Sequence, residues 1–148
     1  MRFVIQRVTS AKVDIDGQTK ASIDKGFAVL IGIGKGDDEA TADKLISKMI
    51  GLRIFEDSEG KTNLDLSRVG GKLLLISQFT LYADCKKGHR PGFTDACEPA
   101  RAEELYNYIV RKCSELTGEV GSGEFGADMK VTLTNDGPFT IILDSERL

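Results

Sequence analysis

Two apolar runs of strand length, GFAVLIGIG from Gly26 and KLLLISQFT from Lys72, constrain this chain more than any other feature. Both are far shorter than the ~20 residues that span a bilayer, so each is expected to be a buried strand. Between them Ala42, Leu45, Ile46, Met49 and Ile50 recur at helical spacing, with Asp37 and Asp38 as caps before the helix and Gly51 as its stop. This is the one stretch that reads as strand, helix, strand.

The remaining patterns are mostly strands. RFVIQRVT and KVDIDG read as two short β-rich runs, the second alternating cleanly through Val13 and Ile15 into an Asp16-Gly17 turn. SEGKTNLDLSRVGG is turn-rich around one short strand. Pro99 suits the first turn of a second helix, whose apolar stripe runs through Ala102, Leu105, Tyr106, Ile109, Val110, Cys113 and Leu116 to Gly118. MKVTLTN and FTIILDS read as two strands joined by a turn at Asp136-Gly137-Pro138. The pattern predicts an α/β fold with mixed, mostly antiparallel sheets and two main helices, in a single domain over residues 1–148 without repeat or linker.

Composition narrows the function classes. A net charge of −3 lacks the basic excess of a protein that coats nucleic acid, so any such contact must be local. Cys85, Cys97 and Cys113 are odd in number and irregular in spacing, which fits free thiols in a reducing compartment. The N-terminal MRFVIQRVTS has no signal-peptide core, and the chain is expected in the cytoplasm, away from membranes.

Familiar catalytic patterns are missing. The single histidine, His89, sits in CKKGHRPGF with no carboxylate placed to make it half of a nucleophile–base pair. Cys85, His89 and Cys97 lack paired zinc-ligand spacing, and no metal or cofactor is expected. GSGEFG (residues 121–126) follows a helix and precedes a strand, the reverse of a dinucleotide fingerprint, and reads as a flexible connection. GIGKGD has the right order, yet Asp37 at the third glycine position would repel a pyrophosphate. Any chemistry must then rest on hydrogen-bond donors, backbone geometry or the substrate itself.

That focuses attention on Ser77, Gln78 and Thr80, which carry hydrogen-bonding side chains straight out of the second apolar run. A strand reaching solvent, a turn needing caps and an active site would all produce such a row.

SQFT (77–80) and NDGPFT (135–140), with IQRV near the start, FGADM (125–129) and KKGHRPGF, resemble the D-aminoacyl-tRNA deacylases, also called D-tyrosyl-tRNA deacylases. The resemblance runs from Met1 to about Asp144 with every block in order. Phe139 departs from the valine more often found there in the family. The resemblance implies a three-layer α/β/β fold, a homodimer with active sites at the subunit interface, and hydrolysis of the ester joining a D-amino acid to the 3′ acceptor end of tRNA. It also implies glycyl-tRNA as a second substrate and rejection of L-aminoacyl-tRNA.

By the same resemblance, Ser77, Gln78, Phe79 and Thr80 are the catalytic stretch, with backbone N–H groups near Phe79 and Thr80 as oxyanion donors. Thr80 as a covalent nucleophile and assistance from the ribose 2′-hydroxyl remain competing mechanisms. A cis Gly137-Pro138 element is implied to reach the partner's pocket, with Arg7 supporting it, and Phe125 and Met129 to wall the adenosine or aminoacyl site. By composition alone Gly137-Pro138 is a turn, Arg7 a surface cation, and Phe125 and Met129 core residues. Lys86, Lys87 and Arg90 are either acceptor-end phosphate contacts or a solvated loop. The rival functional reading is a non-enzymatic nucleic-acid-binding module.

Overall fold

In the computed structural model, which describes residues 1–148, β1 (Arg2–Ile15) turns into β2 (Gln18–Ile23), followed by β3 (Gly26–Gly32) and α1 (Glu39–Ile50). A small pair, β4 (Phe55–Glu56) and β5 (Thr62–Leu64), precedes β6 (Lys72–Ser77); α2 (Pro99–Thr117), β7 (Gly121–Ser122) and β8 (Lys130–Asp144) complete the order. The two apolar runs are central neighbours. β3 and β6 pair in parallel from Gly26↔Lys72 to Ile31↔Ser77, as a strand–helix–strand crossover requires. Every other long pairing is antiparallel.

Both runs are continuously apolar because both of their faces are covered. Leu73 and Leu75 point into a core shared with Phe3, Ile5, Phe27, Leu45, Ile46, Leu105 and Ile109, between the sheet and the two helices. Leu74 and Ile76 point the other way, into a second core with Val8, Ala11, Val13, Ile23 and Ala28. The second half of β1 and the β2 hairpin fold over that face, with β2 against β6 and β7. The result is the three-layer α/β/β arrangement, and each fully buried Leu or Ile contributes roughly 1.5–3 kcal/mol to holding it.

Two expectations about strands are corrected. RFVIQRVT and KVDIDG form one strand, because β1 serves two neighbours along one edge: Arg2–Val8 pair with β3 and Ala11–Ile15 with β2. MKVTLTN and FTIILDS likewise form one strand, β8, which follows β1 from Asp14↔Lys130 to Arg2↔Asp144. Asp136-Gly137-Pro138 is therefore a bulge within a strand and not a turn between two.

The helices start as their sequences direct. Asp38 caps α1 by accepting from the Thr41 N–H at 2.8 Å, while Asp37 turns back to accept from the Gly34 N–H at 2.7 Å and takes no part in the cap. Pro99 occupies the first turn of α2, and Glu98 caps it by accepting from the Arg101 N–H at 3.0 Å. Leu116 does not continue the buried stripe; it is 57% exposed in the last turn of α2. No helix is long and apolar enough to cross a membrane.

Candidate active site at the end of the sixth strand

The row of polar residues after β6 does not prolong the strand. Pairing with β3 closes with the Gln78 N–H donating to the Ile31 carbonyl at 2.7 Å, and the chain then folds into a 3₁₀ turn, Phe79–Tyr82. The turn lies directly over the end of β3 because glycines leave it room. A Cβ on Gly32 would stand 2.8 Å from the Leu81 Cβ, and one on Gly34 would stand 2.5 Å from the Tyr82 Cζ. The GIGKG series is thus a floor for this turn.

Folding away from the ladder leaves backbone donors unused. The Leu81 N–H donates to the Gln78 carbonyl at 3.3 Å and the Ala83 N–H to the Thr80 carbonyl at 3.0 Å, whereas the Phe79 and Thr80 N–H groups, at the first two positions of the turn, precede its i→i+3 ladder and have no partner within it. The Gln78 side chain crosses the turn and donates from Nε2 to the Thr80 Oγ1 at 2.5 Å.

These donors adjoin a cavity of about 460 Å³ whose walls include Ser77, Gln78, Phe79, Phe125 and Met129, with Ile31, Ile33 and Cys97 on its apolar side. Five of the nine candidate site residues are therefore brought together. Met129 reaches the wall because Gly123 has no side chain: a Cβ there would be 2.4 Å from its sulfur. GSGEFG is not a loose connection. Gly121 and Ser122 form β7 alongside Leu74 and Leu75, and the Gly123 N–H donates to the Leu75 carbonyl at 3.2 Å. Behind Phe125, 6.1 Å away between ring centroids, Tyr106 donates its hydroxyl to the same Leu75 carbonyl at 2.9 Å, and burial pushes its pKa up to about 12. Cys97, read from the sequence only as a free thiol, is a wall residue as well. Burial, then the neighbouring Glu98 carboxylate, holds its thiol above the usual range, so it is neutral.

Thr80, Arg7, Gly137 and Pro138 do not line this cavity. The last three form a second constellation. Gln6 pairs with Thr140 and Val8 with Asn135, so Asp136–Phe139 all stand opposite the single residue Arg7. The Gly137-Pro138 bond is cis, Gly137 has φ +133°, and both residues are exposed. The bulge is gripped at its base. Arg7, 7% exposed, donates from Nε to the Asp136 carbonyl at 3.0 Å and from Nη1 to the Ile54 carbonyl at 2.6 Å. Asn135 accepts from the Phe139 N–H at 2.7 Å and donates to the Gln6 Oε1 at 2.8 Å and the Thr140 Oγ1 at 3.0 Å.

The basic loop, residues 85–91, is exposed and closed at its neck by the Asp84 and Gly92 backbones, bonded at 2.7 and 2.9 Å. Phe93, just beyond the neck, packs edge-on against Phe79 with centroids 5.0 Å apart, which joins the loop to the cavity wall. His89 belongs to the loop and lines no part of the cavity.

Comparison with known proteins gives the family and the fold. Residues 4–144 match the model of the D-Tyr-tRNA(Tyr) deacylase family. A D-aminoacyl-tRNA deacylase of Clostridium tetani is 52% identical over 148 residues, covering 100% of this chain and 99% of that protein. Another, of Pseudomonas fluorescens, is 48% identical over 145 residues, covering 98% and 100%. Among solved structures, the c-Myc DNA Unwinding Element Binding Protein superposes with a TM-score of 0.92 at 35% identity, over 97% of this chain and 98% of that one. A probable eukaryotic D-amino acid tRNA deacylase, at 16% identity and TM-score 0.81 over 96% and 97%, shares the fold. With nearly its whole length matched by the family model and by relatives at about half identity, the chain belongs to the D-Tyr-tRNA(Tyr) deacylase family of enzymes.

Proposed function

We propose that this protein hydrolyses the ester bond of D-aminoacyl-tRNA, releasing tRNA and a free D-amino acid. The observation that carries the reading is the pair of N–H groups on Phe79 and Thr80 that the turn leaves without a partner, beside a cavity walled by Ser77, Gln78, Phe125 and Met129. Water adds to the ester carbonyl, the carbonyl oxygen takes up negative charge against these two donors, and the C–O bond to the terminal ribose breaks as that oxygen gains a proton. One such donor is typically worth 10²–10³ in rate. An aminoacyl ester is already activated, so orientation and oxyanion stabilisation suffice without a side-chain base, and the ribose 2′-hydroxyl assists the attack.

Selectivity needs a second element. Excluding L-aminoacyl-tRNA by ~10⁴ requires about 5.5 kcal/mol, and a pocket that differs by one methylene supplies only ~1–3 kcal/mol. Rigid main chain supplies more, because it cannot rotate aside. The gripped Gly137-Pro138 bulge is such an element, and in this reading it enters the cavity of a second copy. Support comes from the sheet: Val4 stands opposite both Leu30 and Ile142 on one face, and Ile142 is 66% exposed in the single chain. The active protein is then a cytoplasmic homodimer of single-domain subunits. Achiral glycine presents no side chain to exclude, so glycyl-tRNA is a further substrate. The exposed Lys86, Lys87 and Arg90 contact acceptor-end phosphates.

Incubation with D-tyrosyl-tRNA and L-tyrosyl-tRNA tests the proposal: rapid release from the first and survival of the second are expected, and equal hydrolysis of both or of neither overturns it. One observation favours a second reading, since a solved relative at 35% identity bears a DNA-binding name. A nucleic-acid-binding module would bind duplexes lacking an aminoacyl end as tightly as charged tRNA, with steep salt dependence, and would release no amino acid.

A further inference from the structure

The 3₁₀ turn that presents the Phe79 and Thr80 N–H groups has little to hold it in place by itself. The bonds at its two ends are the 3.3 Å contact from Leu81 to Gln78 and the 3.0 Å contact from Ala83 to Thr80. Its front end is tied to β3 through Gln78 and Ile31. Its back end is held by a residue at the far end of the chain. Arg2 donates from Nη1 to the Leu81 carbonyl at 2.9 Å and from Nε to the Asp144 Oδ2 at 3.0 Å. The guanidinium carbon also lies 4.5 Å from the centroid of the Tyr82 ring. Arg2 and Asp144 are register partners across β1 and β8, so the clamp stands on paired strands.

Geometry makes the side chain specific. One planar guanidinium grips a backbone carbonyl of the turn, an aromatic ring of the turn and a carboxylate of β8 at once. A lysine ammonium is a point charge that reaches one of the two oxygens and has no flat face to lay on the ring. The glycine floor acts with it: Leu81 and Tyr82 press on Gly32 and Gly34 from above, and Arg2 keeps them there.

We propose that Arg2 is a positioning residue for ester hydrolysis, fixing through Leu81 and Tyr82 the direction in which the Phe79 and Thr80 N–H groups point. The inference rests on the hydrolase reading given above. Arg2 touches no substrate in this scheme, so its loss falls on the transition state rather than on binding, and misplacing a reacting group by about 1 Å can cost ~10²-fold.

The experiment compares wild type, Arg2→Lys and Arg2→Ala on D-tyrosyl-tRNA, with kcat and KM determined separately and thermal unfolding measured on the same samples. Arg53→Lys, which alters another arginine bonded to a backbone carbonyl, serves as the control. Arg2→Lys is expected to lower kcat about tenfold to a hundredfold, with KM changed less than about threefold. The backbone amide resonances of Phe79 and Thr80 should shift in the same variant, and Arg53→Lys should leave kcat as it is. A folded Arg2→Lys enzyme with wild-type kcat overturns the inference, as does a loss that only tracks the unfolded fraction. Wild-type protein inert toward D-tyrosyl-tRNA would remove the hydrolase reading and this inference together, whereas active wild type beside unimpaired Arg2→Lys removes the inference alone.

Discussion

The guanidinium of Arg7 lies 4.7 Å from the centroid of the Phe139 ring, immediately beneath the exposed Gly137-Pro138 bulge. Arg7 is buried, and its nearest carboxylate oxygen, on a half-exposed Asp136, is 3.7 Å away. Its charge is therefore met mainly by two carbonyl oxygens and the ring face. A desolvated cation on an aromatic face is worth about 1–2 kcal/mol. Phe139→Val, which restores the residue more usual in the family, is expected to fold but to lose stability of that order, read by urea denaturation at unchanged m-value. Stability equal to wild type would show that the ring does not carry the contact.

Gly137 combines φ +133° with a crowded neighbourhood, in which an added Cβ would stand 3.2 Å from the Arg7 Nη2. Gly137→Ala should thus cost about 1–3 kcal/mol in backbone strain and tilt the bulge. The expected outcome is a folded protein with D-tyrosyl-tRNA hydrolysis reduced at least tenfold and a narrower gap between D and L substrates. Retention of both rate and discrimination would show that the bulge does not act in the site.

Gly34 tests the floor of the turn. A methyl group there would overlap the Tyr82 side chain at 2.5–2.7 Å, and Tyr82 is buried, so the ring and the turn that carries it must shift. Overpacking of this kind costs typically 1–3 kcal/mol. Gly34→Ala should lower kcat more than it lowers the melting temperature would suggest, while Gly36→Ala, where a Cβ meets nothing within 4 Å, should leave the turn and kcat unchanged at some cost in backbone strain. Equal loss of kcat in the two variants would contradict the assignment.

Periodicity made much of this fold legible, and it failed where one strand does two jobs. The α2 stripe from Ala102 to Cys113 and the buried runs of β3 and β6 follow directly from their patterns. The unity of β1 and β8 does not, because register irregularities near Arg7, Thr9 and Asp136–Phe139 interrupt alternation in both strands at once. For the site, residue blocks located the cavity wall, yet nothing local in the sequence indicated that Cys97 joins it or that Arg2 clamps the turn. Those contacts span 79 residues from Arg2 to Leu81 and depend on pairing that only the assembled sheet provides. The glycines of GIGKG and GSGEFG were visible but ambiguous. A glycine needed for close approach leaves the same letter whether the neighbour is a phosphate, a tyrosine ring or a methionine sulfur.

Asp144 offers a pH test of the β1–β8 clamp. Burial alone would raise its carboxyl pKa, but the Glu146 N–H and the Arg2 guanidinium outweigh it, and the value falls below the ordinary 3.8. A carboxylate depressed on folding contributes stability that is complete above the unfolded pKa and is lost as pH falls through the folded one. The stability difference between wild type and Asp144→Asn is thus expected to be constant near neutrality and to shrink below about pH 4. A difference unchanged down to pH 2 would mean that the charge of Asp144 does not hold Arg2.

Thr80 separates the two mechanisms. Its Oγ1 accepts a hydrogen bond from the Gln78 side chain, and the residue lies outside the cavity wall, whereas its N–H precedes the hydrogen-bond ladder of the turn and has no partner within it. The backbone is therefore better placed to act than the hydroxyl. Thr80→Ala keeps that N–H and removes only the hydroxyl, so it should retain D-tyrosyl-tRNA hydrolysis within about tenfold of wild type. A charged tRNA ending in 2′-deoxyadenosine should lose far more, about a hundredfold or beyond, because the cavity's one carboxylate, Asp128, is 86% exposed and paired with Lys130 at 2.9 Å, which leaves the ribose hydroxyl as the assisting group. Covalent catalysis by Thr80 demands the opposite pair of results: an inert alanine variant that accumulates no acyl-enzyme, and a wild-type enzyme that turns over the 2′-deoxy substrate at nearly full rate. Single-turnover measurements on both variables decide between them, since they report chemistry without product release.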